Sequence, residues 1–292
     1  MKARWTHLVV AVTVSLLVVA CGAPLPRVNT PIAPTQLPRQ LTPTAMPPTA
    51  TPVPVPPTTT PVPPSPMPPP PPTPQPTKPT PELKAETITS QALAGNLLGD
   101  PAERTVYILL PPGYGASDKR YPVVYVMPGG DGLPTHFTGG FMAASQVLLG
   151  KDEIKEMILV FPDGTNRIWG GSLVRSSTIG DYETYVTRDV VDYVDTHYRT
   201  LPTRDSRGIG GCSNGGTTSM RLALKYPNVF SVVAATSGEW DTSPQVRPDD
   251  VQRVQRLKEL PRDASDLDDV TQWWVQLAAG AAPDPDNPPF YG

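Results

Sequence analysis

Proline is concentrated in one segment of this chain, and that segment cannot build a folded core. More than half of the 41 prolines lie between Ala23 and Pro81. Proline fixes φ and has no backbone N–H to donate, so a run such as PVPVPPTTTPVPPSPMPPPPP favours extended polyproline II. Residues 22–84 are therefore predicted to be a Pro/Thr-rich disordered stalk whose Thr and Ser residues are O-glycan candidates. A proline-motif ligand for a binding module is the competing interpretation.

The amino terminus has the layout of an export signal. Lys2 and Arg4 precede an apolar run from Leu8 to Ala20, which at about 13 residues is too short to cross a membrane as a helix. The run ends in LVVAC, which resembles the bacterial lipobox, where cleavage precedes a cysteine that receives lipid. Residues 1–21 are predicted to be a lipoprotein signal peptide with Cys21 as the lipidation site. An ordinary signal peptide with a chance cysteine is the alternative.

This interpretation predicts the location and a membrane partner. A lipid-modified Cys21 would tether the protein to the outer face of the bacterial cytoplasmic membrane, because acyl chains partition into the bilayer. Cleavage as an ordinary signal would leave the protein secreted.

Composition excludes several other classes. The formal net charge is −3, and Lys and Arg occur only in isolated pairs such as Lys119-Arg120, so no nucleic-acid partner is predicted. Two cysteines cannot form a disulfide framework. The sequence contains no metal-ligand cluster, phosphate loop or dinucleotide fingerprint, so neither a metal nor a cofactor is predicted.

Residues 85–292 read as an α/β domain. Unbroken apolar runs, typical of strands buried on both faces of a parallel sheet, occur at Arg104–Tyr114, Tyr121–Gly130, Met157–Gly164, Arg207–Gly211 and Val229–Gly238. Segments with helical spacing lie between them, as in DYETYVTRDVVDYVDTHY. This alternation predicts a mostly parallel sheet flanked by helices, with the chemistry at the carboxyl ends of the strands.

The stretch GIGGCSNGG places Ser213 where a strand ends and a helix begins. Its Gly-x-Ser-x-Gly spacing predicts a tight turn that strains the serine backbone and leaves no room for side chains at Gly211 and Gly215. The amide of Asn214, at the helix N-terminus, would point toward developing negative charge. Cys212 is interpreted as a buried small residue.

Four ordered blocks between Arg104 and Gly238 resemble the group of α/β-hydrolases that includes esterase D, enterochelin esterase, feruloyl esterase and mycolyltransferases. The blocks are YPVVYVMPGG, LVFPDG, VDYVDTHYRT and the segment from RGIGG to AATSG. The resemblance implies a serine nucleophile at Ser213 and an oxyanion hole made by the amides of Gly130 (or Gly129) and Asn214. It also implies a small-molecule or glycan-linked ester as substrate. Pro128 departs from the His-Gly-Gly found in many members, but the donors are backbone amides.

The catalytic base is missing from its expected place. α/β-Hydrolases order their triad as Ser, acid, His, and the three histidines here are His7, His136 and His197. His197 precedes the strand that leads to Ser213, and a strand of about five residues separates the two sheet edges by roughly 17 Å, so His197 is predicted to be structural. His136 follows the Gly129-Gly130 turn. It is predicted either to line the substrate mouth or to be an exposed loop residue, and it is a weak candidate for the catalytic base.

The acid of the triad is also missing from its expected place. Glu239 and Asp241 follow the strand after Ser213 and are weak acid candidates, or a solvated loop pair. Beyond Thr242 the sequence predicts two helices and no strand, and four aspartates supply helix starts: Asp263, Asp266, Asp268 and Asp269. The chain is thus expected to lack the last strands of the fold and to be truncated at its carboxyl end.

These observations predict a serine carboxylic-ester hydrolase tethered to the cell surface and impaired because the acid and histidine of its triad are absent. A catalytically inactive surface binding protein on the same scaffold is one alternative, and an acyltransferase of the mycolyltransferase type is another. Tyr182, Trp169 and Trp240 are candidates either for the pocket lining or for the core.

Overall fold

The computed structural model describes residues 80–171, 173–239, 247–257 and 267–287. The predicted signal peptide, Cys21 and nearly all of the predicted stalk lie outside these residues, so the interpretations placed on them stay predictions. The acid candidate Asp241 and the pocket candidate Trp240 also lie outside them.

Six strands build the central sheet, and two more form a separate small ladder. In chain order the strands of the described residues are β1 (Glu82–Thr89), β2 (Glu103–Leu110), β3 (Val123–Met127), β4 (Ile158–Pro162), β5 (Arg175–Ser176), β6 (Gly180–Asp181), β7 (Arg207–Cys212) and β8 (Val232–Thr236). The sheet order is β1-β2-β4-β3-β7-β8, and β5 pairs with β6. Strands β4, β3, β7 and β8 are parallel, whereas β1 and β2 run antiparallel at one edge. The mostly parallel sheet predicted from the apolar runs is confirmed.

Helices cover both faces of this sheet. They are α1 (Thr138–Gly150), α2 (Tyr182–Thr184), a π-helical stretch (Tyr185–Val190) that continues α2 into α3 (Val191–His197), α4 (Asn214–Lys225), α5 (Pro248–Gln255) and α6 (Asp269–Ala281). Short 3-10 turns occur at Gln91–Leu93, Tyr114–Ala116, Pro134–His136 and Arg204–Ser206.

Alternate residues along the parallel strands bury against different faces. Val123, Tyr125 and Met127 of β3 belong to the main core cluster. Val124 and Val126 of the same strand belong to a second cluster that packs under α1. A strand enclosed on both faces has no polar side to present to water, which is why these segments read as unbroken apolar runs.

Strand β1 was not predicted from the sequence, and it begins before the expected domain boundary at residue 85. Glu82 pairs with Leu110 and Thr89 with Glu103 along the edge of the sheet. Most of its side chains are exposed or half-buried, and charged residues interrupt its apolar positions. An edge strand of this kind carries charge to prevent pairing with other chains, so it lacks the apolar run that marks a central strand.

A buried carboxylate joins α2 to α4. The Glu183 side chain is 3% exposed and makes ion pairs with Arg221 and Lys225 of α4. Lys225 Nζ lies 2.6 Å from Glu183 Oε2, and the Tyr226 hydroxyl donates to the same oxygen at 2.7 Å. The helix that begins after Ser213 is thereby anchored at its carboxyl end.

The two helices predicted after β8 are present as α5 and α6. Asp268 starts α6 as predicted, because its Oδ1 accepts from Thr271 N at 3.1 Å and its Oδ2 from Thr271 Oγ1 at 2.6 Å. Val275 and Ala279 of α6 are fully buried in the main core. In the described residues no strand follows β8, and none of the described helices is long and apolar enough to cross a membrane.

Candidate active site

Ser213 occupies the sharp bend between β7 and α4. Its backbone has φ 56° and ψ −128°, a conformation that costs a residue with a side chain of order 1–3 kcal/mol. The Ser213 amide donates to Thr236 O at 3.0 Å, while its carbonyl accepts from Gly216 N at 2.9 Å and Thr217 N at 3.1 Å. The main chain is thus fixed from β8 and α4, and the serine itself is exposed.

Three glycines permit this bend because no side chain fits at their positions. A Cβ on Gly211 would lie 2.5 Å from the carbonyl of Gly215, and a Cβ on Gly215 would lie 2.4 Å from Met127 O at the end of β3. A Cβ on Gly216 would lie 2.5 Å from Thr236 O at the end of β8. The predicted steric role of Gly211 and Gly215 therefore has a geometric basis: the start of α4 packs directly on the ends of β3 and β8.

The paired glycines after β3 lie at the same edge of the sheet as Ser213. Met127 pairs with Gly211 in the parallel register of β3 and β7, which brings the two strand ends side by side. A Cβ placed on Gly171 would lie 2.5 Å from Gly129 O, 2.7 Å from Gly130 O and 2.9 Å from Asn214 Nδ2. Gly171 therefore lies against both Gly130 and Asn214, through the Gly130 carbonyl and the Asn214 side chain. Asn214 is the first residue of α4, where amides have no intrahelical acceptor.

The loop that follows β4 closes against the paired glycines, Gly129 and Gly130. Gly164 N donates to Gly132 O at 2.9 Å, and Gly171 N donates back to Gly164 O at 2.9 Å. We call residues 163–171 the β4 loop. Its sequence signals are the end of the LVFPDG block, Trp169 as a candidate for pocket or core, and the Gly170-Gly171 pair. The partners of that pair lie about 40 residues away along the chain and cannot be read from local spacing.

Two buried side chains donate hydrogen bonds to the main chain of the β4 loop. The Tyr182 hydroxyl donates to Thr165 O at 2.7 Å, and Arg104 Nη1 donates to the same oxygen at 3.0 Å. Arg104 also lies over the Tyr182 ring, with Cζ 5.5 Å from its centroid. Burial raises the pKa of Tyr182 well above its usual range. Tyr182 is 0% exposed, so of its two predicted roles the structure gives it the core one.

The histidines lie at opposite edges of the sheet. His197 ends α3 and stacks on Tyr193 with centroids 4.0 Å apart. Thr200, three residues later, bridges Tyr121 ahead of β3, so His197 lies at the amino edge, away from Ser213. His136 follows the paired glycines, with Nδ1 2.6 Å from Asp131 Oδ2 and its side chain 54% exposed.

Of the two acid candidates, only Glu239 falls within the described residues. Its amide donates to Thr217 Oγ1 at 2.8 Å, and that hydroxyl donates to Glu239 O at 3.2 Å. Thr217 N in turn donates to Ser213 O, so the Glu239 main chain is tied to the first turn of α4. The Glu239 residue is exposed.

Among the described residues, no group of three or more His, Cys, Asp or Glu side chains could hold a metal ion. Cys212, next to the serine, is 7% exposed and belongs to the second core cluster, as expected for a small buried residue.

A parallel sheet flanked by helices, with a strained serine at a strand-to-helix bend and a glycine turn beside it, defines the α/β-hydrolase fold. The family model "Esterase: Putative esterase" matches residues 101–288, which is more than half of the chain. The chain therefore belongs to this esterase family, and the resemblance inferred from the four sequence blocks is confirmed.

Individual relatives are similar over part of their length. The chain is 31% identical over 135 residues to "Esterase Rv1288" of Mycobacterium tuberculosis, a match that covers 46% of this chain and 28% of that protein. It is 25% identical over 143 residues to an "Endo-1,4-beta-xylanase/feruloyl esterase" of Xylanibacter ruminicola, covering 46% and 19%. The chain thus spans less than a third of the length of these relatives.

Two solved structures align with part of the chain. A ferulic acid esterase aligns with a TM-score of 0.48 at 24% identity, covering 55% of this chain and 60% of that one. The enterobactin esterase FES from Shigella flexneri aligns with a TM-score of 0.42 at 18% identity, covering 54% and 37%.

Proposed function

We propose that this chain is a carboxylic-ester hydrolase with Ser213 as its nucleophile. The observation that carries the proposal is the exposed Ser213, held at φ 56° beside the paired glycines at the carboxyl edge of the sheet. Membership of the esterase family and the relatives named as esterases support it. The substrate is a small-molecule or glycan-linked ester, the latter supported by the relative whose name joins a xylanase to a feruloyl esterase.

The proposed chemistry uses Ser213 and the two backbone donors that the family resemblance implies. Ser213 Oγ attacks the ester carbonyl, and the amides of Gly130 and Asn214 hold the resulting oxyanion. The alcohol leaves and an acyl-enzyme remains, which water hydrolyses. One such donor contributes about 10²–10³ in turnover in serine hydrolases.

The proposal includes impaired turnover for this chain. Its sequence has no histidine after Ser213, and His136, which follows the paired glycines, is a weak candidate for the base. Loss of triad members lowers turnover by about a million-fold in a serine protease. Both Ser213 and the attacking water lack a base, so both steps are slowed. Acylation by an activated ester suffers less, because nitrophenolate leaves without an acid, whereas the acetyl-serine that water must cleave is an unactivated ester.

p-Nitrophenyl acetate tests both parts. One equivalent of nitrophenolate per chain and an acetyl group on the peptide that contains Ser213 are expected, followed by turnover far slower than acylation. Ser213→Ala should reduce both signals to background. Ser237→Ala is a matched control, since Ser237 is another serine at positive φ, 51°, at the same sheet edge, and it should behave as wild type. Rapid steady turnover would contradict the impairment, and acetylation that survives Ser213→Ala would contradict the nucleophile.

We further propose that the protein is tethered to the outer face of the bacterial cytoplasmic membrane through lipid on Cys21. The proposal rests on the basic residues, the apolar run and the LVVAC sequence of residues 1–21.

In a bacterium that processes lipoproteins, the wild-type chain should incorporate an alkyne fatty acid and sediment with membranes. Cys21→Ala should lose the label and most of the membrane association, because the acyl chains supply the binding free energy. Cys212→Ala, which changes the other cysteine, should keep the label. A label retained by Cys21→Ala would exclude the anchor.

A further inference from the structure

Trp169 adopts a backbone conformation that bulky residues avoid. Its φ is 134°, the largest positive value among the four non-glycine residues with positive φ in the described part of the chain. For a residue with a large side chain such a value is a genuine outlier, and strain of this kind persists only where the surroundings enforce it.

The β4 loop enforces the conformation from both sides. Ile168 is 3% exposed in the main core, and its amide donates to Asn166 Oδ1 at 2.9 Å. On the other side, a Cβ on Gly170 would lie 2.7 Å from Thr165 Cα and 2.8 Å from Asp131 O. The main chain on either side of Trp169 therefore has no freedom to relax, and Trp169 absorbs the strain.

Packing does not explain a tryptophan at this position. Trp169 is half-buried, and it belongs to neither of the two core clusters formed by the described residues. No aromatic ring pair of the described chain includes it. A glycine would fit here without strain, so the indole needs a reason outside the core.

The position of Trp169 supplies that reason. Gly171, two residues later, contacts the paired glycines and the Asn214 side chain. Two residues of extended chain reach about 7 Å. The Cα atom of Trp169 therefore lies within about 7 Å of Gly171, the residue that contacts Gly130 and Asn214.

We propose that Trp169 is a specificity-determining residue of the Ser213 site, where its indole packs against the apolar part of an acyl group longer than acetyl. This inference rests on the proposed function of Ser213. The indole presents a large, rigid apolar surface, so the residue discriminates between acyl groups rather than taking part in bond making. A pocket contact of this kind changes selectivity about tenfold or more.

Two fluorophosphonates that share an ethoxy group and differ only in a methyl or an octyl substituent on phosphorus test this. Ser213 Oγ displaces fluoride from phosphorus and releases its proton to the buffer, and intact mass gives the labelling rate. Trp169→Ala should lower the octyl-to-methyl rate ratio about tenfold, and Trp169→Phe should keep most of the ratio. Trp169→Gly should lower the octyl-to-methyl rate ratio as Trp169→Ala does. Its melting temperature should be no lower than that of wild type, because glycine also removes the backbone strain.

Trp273→Ala is the control, since Trp273 packs on the main core. It should lower the melting temperature and leave the rate ratio unchanged. A ratio unchanged in Trp169→Ala and Trp169→Gly, or both rates falling equally, would overturn the role of Trp169 and leave the nucleophile in place. A wild-type chain that neither probe labels at Ser213 would instead remove the proposed function, and the role of Trp169 with it.

Discussion

Gly215→Ala is expected to lower the free energy of unfolding by about 3 kcal/mol and the rate of Ser213 acylation about a hundredfold. The new methyl carbon would lie 2.4 Å from Met127 O and 2.6 Å from Pro128 O. Both contacts are main-chain atoms, one at the end of a fully buried strand, so they cannot swing aside as a flexible side chain would. Overpacking against side chains costs about 1–3 kcal/mol, and rigid backbone neighbours place this site at the top of that range.

Relief of the clash moves α4 away from β3, and α4 begins at Asn214, whose amide is one of the two proposed oxyanion donors. A misplacement of about 1 Å in a catalytic arrangement can lower the rate about a hundredfold. Denaturant unfolding gives the stability, and the nitrophenolate burst gives the acylation rate.

Gly139→Ala is the matched control. Gly139 lies in α1, and a Cβ there would meet no atom within 4 Å. Alanine favours a helix over glycine, so this variant should gain up to about 1 kcal/mol and acylate at the wild-type rate. If Gly215→Ala unfolds at the wild-type denaturant concentration and keeps the wild-type nitrophenolate burst, the start of α4 does not pack on β3 as described.

Glu183→Gln is expected to cost about 2 kcal/mol at neutral pH. The substitution removes the negative charge that faces Arg221 and Lys225, and breaking a buried ion pair from one side usually costs 3–5 kcal/mol. Arg221 and Lys225 have side chains that are 31% and 54% exposed, so solvent recovers part of the loss.

The same carboxylate gives the effect a pH dependence. Burial alone raises the pKa of Glu183, but the hydrogen bonds from Lys225 and Tyr226 and the charge of Arg221 outweigh burial, and the net pKa lies below its ordinary value. Burial, followed by the bond to Glu183, raises the pKa of Tyr226 to about 12.

A lowered pKa in the folded state means that the unfolded chain binds the proton more readily. The stabilisation from Glu183 is therefore complete above the unfolded pKa of about 4.3 and is lost as the pH falls through the folded value. The difference in unfolding free energy between wild type and Glu183→Gln should be constant near neutral pH and should shrink below about pH 4.

Glu153→Gln provides the comparison. Glu153 is exposed, and the described part of the chain offers it no ion pair, so its substitution should change stability little at any pH. A Glu183→Gln difference that persists unchanged into acid would assign the loss to packing rather than to charge.

Local patterns in the sequence predicted most of the elements. β3, β4, β7 and β8 were visible as unbroken apolar runs, because a strand covered on both faces cannot expose a polar side chain. α5 and α6 followed from helical spacing. The edge strand β1 was missed, because its charged residues break the apolar pattern.

The candidate site was only partly visible in the sequence. Ser213 and its flanking glycines could be identified because a tight bend requires small residues at fixed spacing. The sequence makes Tyr182 a candidate for the pocket lining or the core, because aromatic residues occur in both. In the structure Tyr182 is fully buried and donates a hydrogen bond to Thr165 O, which places it in the core. In the β4 loop the sequence offers Trp169 as a candidate for pocket or core, but it does not predict that the loop packs on Gly129 and Gly130. It also does not predict the support from Arg104, whose bond to Thr165 spans 61 residues.

The sequence by itself thus determined the class of fold and the tight bend at Ser213, because both depend on residue type or on local spacing. Only the tertiary structure decided that Gly129, Gly130, Gly171 and Asn214 meet at one point and that Trp169 is held in a strained conformation next to them. Such contacts join segments that are dozens of residues apart, and they are fixed by how the β4 loop packs against the ends of β3 and β7, which no local pattern encodes.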